Sequence, residues 1–202
     1  MAEKFAEIHV WMFNKIKLQD QFSDELVKQL SDEDQVVQIK ENIELFYPFP
    51  KGNLEEIIDH ENIHQWLEKH LMLTDQKLAW LVKQVKDNPL TLKNLEDFFF
   101  QLGKKHRVSL QPIWLKPSYV YRTITDALTE GMPCDKANQV ISHDEHHLTW
   151  EVSNCMHQKA WQSQHADVND FYAIRDAWIK GLLEGSEFTY SGKYPQYKIQ
   201  RD

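Results

Sequence analysis

A chain of 202 residues that is 42% apolar and 12% aromatic can bury a core without disulfide bonds, and this composition excludes a disordered protein. Its net charge of −8 argues against binding to nucleic acid or to anionic membrane surfaces, both of which need a basic surface. Two cysteines are too few for a disulfide-stabilised secreted protein, and no apolar run approaches the ~20 residues of a membrane span, so we expect a cytoplasmic protein without membrane insertion.

Apolar residues recur at helical spacing through the first half of the chain. They predict a first helix over residues 2–18 and a separate short helix over residues 22–30. Thr74 and Thr91 have the position of N-caps and predict the starts of two later helices. Gly103 predicts the end of the second of these, because glycine readily adopts the left-handed conformation that closes a helix. This half of the chain is therefore expected to be helical.

An apolar connector over residues 112–117, which begins and ends with proline, follows the predicted helices. It is the only plausible domain boundary in the sequence. We expect a single domain over residues 1–202, with a possible subdivision into a helical part, 1–111, and an α+β part, 112–202.

The last third of the chain changes from a helical period to alternation, which predicts strands. Residues 139–142 and 147–157 predict one hairpin, and residues 188–199, with a turn at Ser191–Gly192, predict another. The clearest helix, over residues 167–184, separates them. The sequence thus predicts an α+β fold, with a helical N-terminal part packed on an antiparallel sheet of about four strands made of two hairpins separated by a helix.

Several residues of this region have side chains that can bind zinc, and His143, His146, Cys155 and His157 are the candidate set. If residues 147–157 form one straight strand, Cys155 and His157 lie on one side of it about 7 Å apart and need further ligands from elsewhere. No HExxH motif and no pair of CxxC motifs is present. We therefore predict no metal and no cofactor, and keep a zinc-dependent hydrolase built on these four residues as an alternative.

Motifs of nucleophilic catalysis and of phosphate binding are missing from the sequence. There is no GxSxG elbow, and the six glycines form neither a GxGxxG nor a Walker-type loop. Paired carboxylates fall at predicted helix starts, where the helix dipole explains them. We predict no catalytic residue and favour a protein that is not an enzyme.

Residues 118–202 resemble the C-terminal half of the vinyl-reductase-type small-molecule-binding domain. The resemblance rests on the strand Trp150–Cys155, on the following helix that ends in the segment 181–185, and on the final hairpin. It implies a domain that encloses an apolar ligand. The chain lacks the second cysteine of that family, so no metal or redox use is carried over. As a ligand-binding alternative, the cavity would be lined by Trp150, Val152 and Trp178.

A short, acidic, aromatic-rich chain without a chemical motif is similar in character to the adaptor chaperones of bacterial type IV secretion coupling complexes. That similarity implies a non-enzymatic adaptor or chaperone whose partners are other proteins, held as segments against an apolar aromatic surface. We predict that acidic rims of this surface select basic flanks of the partner. The predicted partner-binding residues lie in and after the connector: Trp114, Leu115, Tyr119 and Tyr121.

Overall fold

The computed structural model describes residues 6–87 and 92–202, and it shows eight α-helices and four strands within them. The helices of the first part are α1 (Glu7–Val27), α2 (Glu33–Phe46), α3 (Leu54–Ile57), α4 (Ile63–Asp87), α5 (Leu92–Leu110) and α6 (Pro117–Ala127). The remaining elements are β1 (Asn138–His143), β2 (His147–Val152), α7 (Gln158–Ser163), α8 (Val168–Leu183), β3 (Phe188–Lys193) and β4 (Gln196–Arg201). No helix in the described part of the chain is both long and apolar enough to cross a bilayer.

The α+β prediction is confirmed, since the helices lie mainly N-terminal and the strands C-terminal. The four strands form one sheet in the order β1-β2-β4-β3, with every neighbouring pair antiparallel. The two hairpins therefore meet at the centre of the sheet, where β2 pairs with β4. Helix α8 separates the hairpins as predicted, and the short helix α7, which was not predicted, precedes it.

Alternation along the central strands sets one face of the sheet against the helices. Leu148, Trp150 and Val152 of β2 are buried, and Trp150 pairs directly with Tyr197 of β4. The residues between them, such as Glu151, are only partly buried. Apolar residues therefore alternate in the sequence because one face of the sheet is covered by helices and the other is not.

The main core joins both parts of the chain around α8. This helix packs along α5 and against β3, and its Trp178 is completely buried. Side chains from α1, α4, α5, α6 and the sheet complete the same cluster. A second, smaller cluster lies at the start of α1, with Met12, Ile16 and Leu67 at its centre.

Two helix boundaries predicted from the sequence are wrong. Helix α1 continues to Val27 without the predicted break, and α4 continues through Thr74. Buried polar residues are the reason, because Gln19 of α1 and Thr74 of α4 occupy the inward stripe of their helices. Because a helix prediction based on spacing requires apolar residues at inward positions, these polar residues led to predicted boundaries inside the real helices. Residues 2–5 of the predicted first helix, and Thr91, lie outside the described residues.

Gly103 does not end α5, contrary to the prediction, because it serves the packing of two helices. It lies within the helix and faces α8, where a Cβ at Gly103 would overlap the carbonyl oxygen of Trp178. Across the contact, a Cβ at Gly181 would overlap the carbonyl oxygen of Phe100. The two glycines let the backbones of α5 and α8 approach more closely than any side chain would allow.

Both predicted hairpins exist, but their details differ from the prediction. Strand β2 ends at Val152, so residues 153–157 form a loop that leads into α7. The last hairpin turns at Tyr194–Pro195, three residues beyond Ser191–Gly192, which belongs to β3. The longer β3 keeps Tyr190 opposite Ile199 and thereby keeps both side chains on the covered face.

Candidate functional site

Part of the predicted partner-binding connector is exposed, and further exposed apolar side chains lie close to it in sequence. Leu115 is 64% exposed and Tyr119 is 44% exposed. Ile113 of the connector is 79% exposed, and Val108 and Leu110 at the end of α5 are also exposed. We call these five residues the connector surface. Exposed apolar side chains grouped in this way mark sites of association more often than isolated ones do.

Trp114 and Tyr121, the other two predicted partner-binding residues, are partly buried and pack on residues of the sheet. The Trp114 indole Nε1 donates to Thr123 Oγ1 at 3.0 Å, and its ring lies edge-on to Phe188 with 6.3 Å between centroids. Tyr121 packs on Trp150 with a centroid distance of 5.1 Å. The four predicted residues are therefore split between an exposed pair and a partly buried pair.

The charged side chains on the segment that carries the connector surface are positive, contrary to the predicted acidic rims, and Glu184, just after α8, is the acidic residue that lines the pocket beside Val108. Residues 98–125 contain five lysines or arginines and no aspartate or glutamate. Within the described part of the chain, no carboxylate lies within 4.0 Å of Lys104, Arg107 or Lys116. An acidic protein thus presents a basic rim here, and acidic flanks of a partner would complement it.

The three residues of the ligand-binding alternative are packed in the core. Trp150 and Trp178 are completely buried and Val152 is 3% exposed. Trp178 donates its indole Nε1 to His106 Nδ1 at 3.1 Å, and the cavity beside it measures about 20 Å³. A cavity of that size holds about one water molecule. These three side chains are positioned to fill the interior.

The four possible zinc ligands are not brought together. His143 and His146 are exposed at the β1–β2 turn, Cys155 is half-buried in the loop after β2, and His157 is buried at the start of α7. Within residues 6–87 and 92–202, no three histidine, cysteine or acidic side chains are placed to hold one metal ion.

His157 belongs instead to a buried group of charges centred on Asp75 of α4. The Asp75 carboxylate accepts from His157 Nδ1 at 2.9 Å, from Trp161 Nε1 at 3.2 Å and from Gln19 Nε2 at 3.3 Å. Because a carboxylate only accepts, Nδ1 of His157 carries a proton. Thr129 donates in turn to the side-chain oxygen of Gln19. One carboxylate therefore ties together α1, α4 and α7.

A second carboxylate, Glu130, lies on the other side of His157. Its Oε2 is 3.9 Å from His157 Nε2, and its Oε1 accepts from Arg175 Nε at 2.7 Å. Arg175 Nη1 also donates to the Tyr190 hydroxyl at 3.2 Å, which donates to Asp176 at 2.7 Å. We call Asp75, Glu130, His157 and Arg175 the buried charge cluster. Each of these side chains is at most 9% exposed.

The pKa of His157 reflects its place between two carboxylates. Burial alone lowers the pKa, but the charge and hydrogen bond of Asp75, followed by the charge of Glu130, raise it above the ordinary 6.5, against a smaller opposing effect of Arg175. For the nearby tyrosines Tyr190 and Tyr197, burial raises the pKa, because it disfavours the charged phenolate. The two carboxylates thus favour the protonated form of His157, and together with Arg175 they link elements distant in sequence.

Lys15 of α1 is a further buried base. Burial lowers its pKa from 10.5 to about 8, while the charges of Glu130 and Asp126 act in the opposite direction. Its ammonium nitrogen lies 4.1 Å from the centre of the Trp11 ring. Lys15 is therefore mostly charged at neutral pH and is stabilised in part by the face of an aromatic ring.

The contribution of His157 to stability is expected to fall as the pH rises above neutrality. The folded state holds the proton of His157 more tightly than the unfolded chain does, so the stabilisation is complete below the ordinary pKa of 6.5. It is lost as the pH rises through the higher pKa of the folded state. Denaturant unfolding at about pH 6 and about pH 9 should show a larger decrease in the wild type than in His157→Gln.

The exposed His146 provides the control for this measurement. His146→Gln should keep the pH dependence of the wild type, since this side chain lies at the surface of the β1–β2 turn. Equal pH dependence in wild type and His157→Gln would show that the buried imidazole does not bind its proton as described.

The sequence contains one signal for the buried charge cluster. Arg175 follows Ile174 and precedes Trp178 in α8, and Asp75 lies between Leu71 and Leu78 at helical spacing, so both charges fall on apolar stripes. A charged residue at such a position is usually paired when it is buried. The identity of its partners could not be read from the pattern, because Glu130 and His157 come from loops or helix starts.

Comparison of the chain with known protein families, with curated proteins and with solved structures finds no match. The buried charge cluster is closed and ties the fold together, whereas the connector surface is open and unpartnered within the described chain.

Proposed function

We propose that this protein is a non-enzymatic adaptor that binds a segment of a partner protein at the connector surface. The observation that carries the proposal is the set of five exposed apolar side chains, of which Ile113 at 79% and Val108 at 75% are the most exposed. Burying such side chains against a partner is favourable, at about 25 cal/mol per Å² of apolar area. Trp114 and Tyr121 pack on the sheet and restrict this segment, which lowers the entropic cost of binding.

The partner segment is proposed to carry apolar residues flanked by aspartate or glutamate. Lys104 and Lys116 at the rim have no carboxylate within 4.0 Å among the described residues, so their charges are available to a partner. A pocket of about 370 Å³ at the end of α5, lined by Arg107, Val108 and Pro112 among others, can receive one side chain. Charge at the rim would set specificity and association rate, and the apolar centre would supply most of the affinity.

A cytoplasmic adaptor of a bacterial secretion complex is the setting that we propose for this activity. Such adaptors hold client segments without chemistry, which agrees with a surface that offers apolar contact and charge.

The proposal predicts crosslinking from Ile113 to an acidic, apolar segment of another protein. A photoreactive phenylalanine analogue at position 113, expressed in the cell that makes the protein, should give an adduct whose crosslinked peptide is identified by mass spectrometry. Ile113→Asp with Leu115→Asp should abolish the capture of the same protein. Both positions are exposed, so we expect the double substitution to change stability by less than about 1 kcal/mol.

The matched control places the photoreactive residue at Val37, which is 57% exposed on α2. Position 37 should not give the same adduct. The proposal is wrong if position 113 yields no protein adduct, if the crosslinked segment lacks acidic residues, or if both positions crosslink alike.

A further inference from the structure

A large open groove lies between α1 and α2, on elements separate from the connector surface. Its volume is about 890 Å³, and residues 47–52 form part of its lining. The groove follows α1 from Phe13 to Lys28. At 1.5 Å per residue, this corresponds to a length of about 22 Å. Its apolar lining consists of Phe13, Val27, Leu30, Val36, Ile43, Tyr47, Pro48, Phe49 and Pro50.

Helix α2 forms one wall of this groove and is attached to the body of the protein by few side chains. Ile39 is the buried residue of the helix, at 4% exposure. Tyr47, just after the helix, donates its hydroxyl to Gln164 at 2.7 Å. Val36 and Ile43 are only partly buried and face the groove. The apolar face of α2 is therefore incompletely covered by its own chain.

The charged side chains at the floor of the groove are paired with one another. Lys77 is buried there, with its ammonium 2.9 Å from a carboxylate oxygen of Asp20 and 2.9 Å from one of Asp24. Burial raises the pKa of Asp20, and the nearby charge of Lys77 opposes that effect. The floor thus offers no free charge to a ligand.

The rim of the groove, in contrast, carries free positive charge along its length. Lys17, Lys40 and Lys51 are exposed, and in the described part of the chain none has a carboxylate within 4.0 Å. Lys28, at the far end, pairs with Glu25 at 2.7 Å. Glu44 is the remaining acidic residue of the lining.

We infer that this groove binds an amphipathic helix of a partner protein, with its apolar face inward and acidic residues along its flanks. A length of about 22 Å corresponds to about four helical turns. A groove between two helices is a common receptor for such a segment. The lysines lie on α1, on α2 and on the 47–52 segment, so they complement negative charges spread along an occupant. A single anionic headgroup of a lipid would leave most of them unused.

The test uses a synthetic 15-residue helical peptide with leucines on one face and glutamates flanking them. Fluorescence polarisation should show binding to the wild type, and a matched peptide with lysines in place of the glutamates should bind at least about tenfold more weakly. The variant Lys17→Glu, Lys40→Glu, Lys51→Glu should reverse that preference. All three side chains are exposed, so the variant is expected to fold, and its melting curve verifies this.

The control variant Lys136→Glu, Lys159→Glu, Lys193→Glu changes the net charge by the same amount at exposed positions outside the groove, and it should bind as the wild type does. Three results would overturn the inference: no binding of the acidic peptide at concentrations up to about 1 mM, equal loss in both triple variants, or saturable binding of dodecanoate that the peptide does not displace.

This inference goes beyond the proposed function, because the groove and the connector surface share no residue. Ile113→Asp with Leu115→Asp should leave binding of the acidic peptide unchanged. Loss of crosslinking at position 113 and loss of peptide binding at the groove can therefore be observed separately, and each contradicts only its own site.

Discussion

Replacing Gly181 with alanine is expected to lower the free energy of unfolding by about 3 kcal/mol, in spite of the higher helix propensity of alanine. The added Cβ would overlap the carbonyl oxygen of Phe100 in α5. Since that oxygen belongs to the helix backbone, relief requires the two helices to separate along their whole contact. At roughly 2–4 °C per kcal/mol for a chain of this size, the melting temperature should fall by about 6–12 °C.

Ser109→Ala is the control for this prediction, because Ser109 is exposed on α5 and its replacement tests helix propensity alone. It should change stability by no more than about 0.5 kcal/mol. Gly103→Ala should lower the free energy of unfolding by a similar amount. The double variant should lose less than the sum of the two single losses, since the first substitution already separates the helices. Unchanged melting of Gly181→Ala would contradict the close approach of α5 and α8.

Replacing Asp75 with alanine is expected to be the most destabilising change in the buried charge cluster, at about 3–5 kcal/mol. The substitution removes the acceptor of His157 Nδ1, of Trp161 Nε1 and of Gln19 Nε2 at once. A buried cation without its partner and donors without acceptors each oppose folding. Chemical denaturation near pH 7 measures the effect directly.

Asp75→Asn separates charge from hydrogen bonding at the same position. The amide keeps an acceptor for Trp161 but cannot hold the imidazolium, so the stability of this variant should lose the part of its pH dependence that His157 causes. Asp87→Ala is the control, because Asp87 forms an exposed pair with Lys83 at 2.6 Å that contributes at most about 1 kcal/mol. Equal destabilisation by Asp75→Ala and Asp87→Ala would refute the role assigned to the cluster.

Local pattern predicted the architecture well where one face of an element is covered and the other is not. The alternation through Leu148, Trp150 and Val152 placed a strand, and the spacing of Phe171, Ile174 and Trp178 placed α8. The connector was predicted to lie at the surface, and Leu115 and Tyr119 do. The partial burial of Trp114 was not predictable, because it depends on Thr123 and Phe188, which come from other elements.

The candidate sites were harder to predict from the sequence than the helices and strands that form them. The groove lining combines α1, α2 and the 47–52 segment, so no single stretch of sequence shows it. The basic residues at the rim of the connector surface could be recognised in the sequence, since residues 98–125 contain no acidic residue. The prediction of acidic rims followed the net charge of −8 instead. A total charge says nothing about its distribution over a folded surface.

The amino-acid sequence by itself determined the class of fold and the presence of two hairpins separated by the helix that became α8, because propensity and periodicity are properties of neighbouring residues. Tertiary structure alone decided that Gly103 continues a helix, that His157 pairs with Asp75, and that α1 and α2 enclose a groove. These features depend on contacts between residues far apart in the chain. Such contacts form only when packing brings the elements together, and they then override local preference.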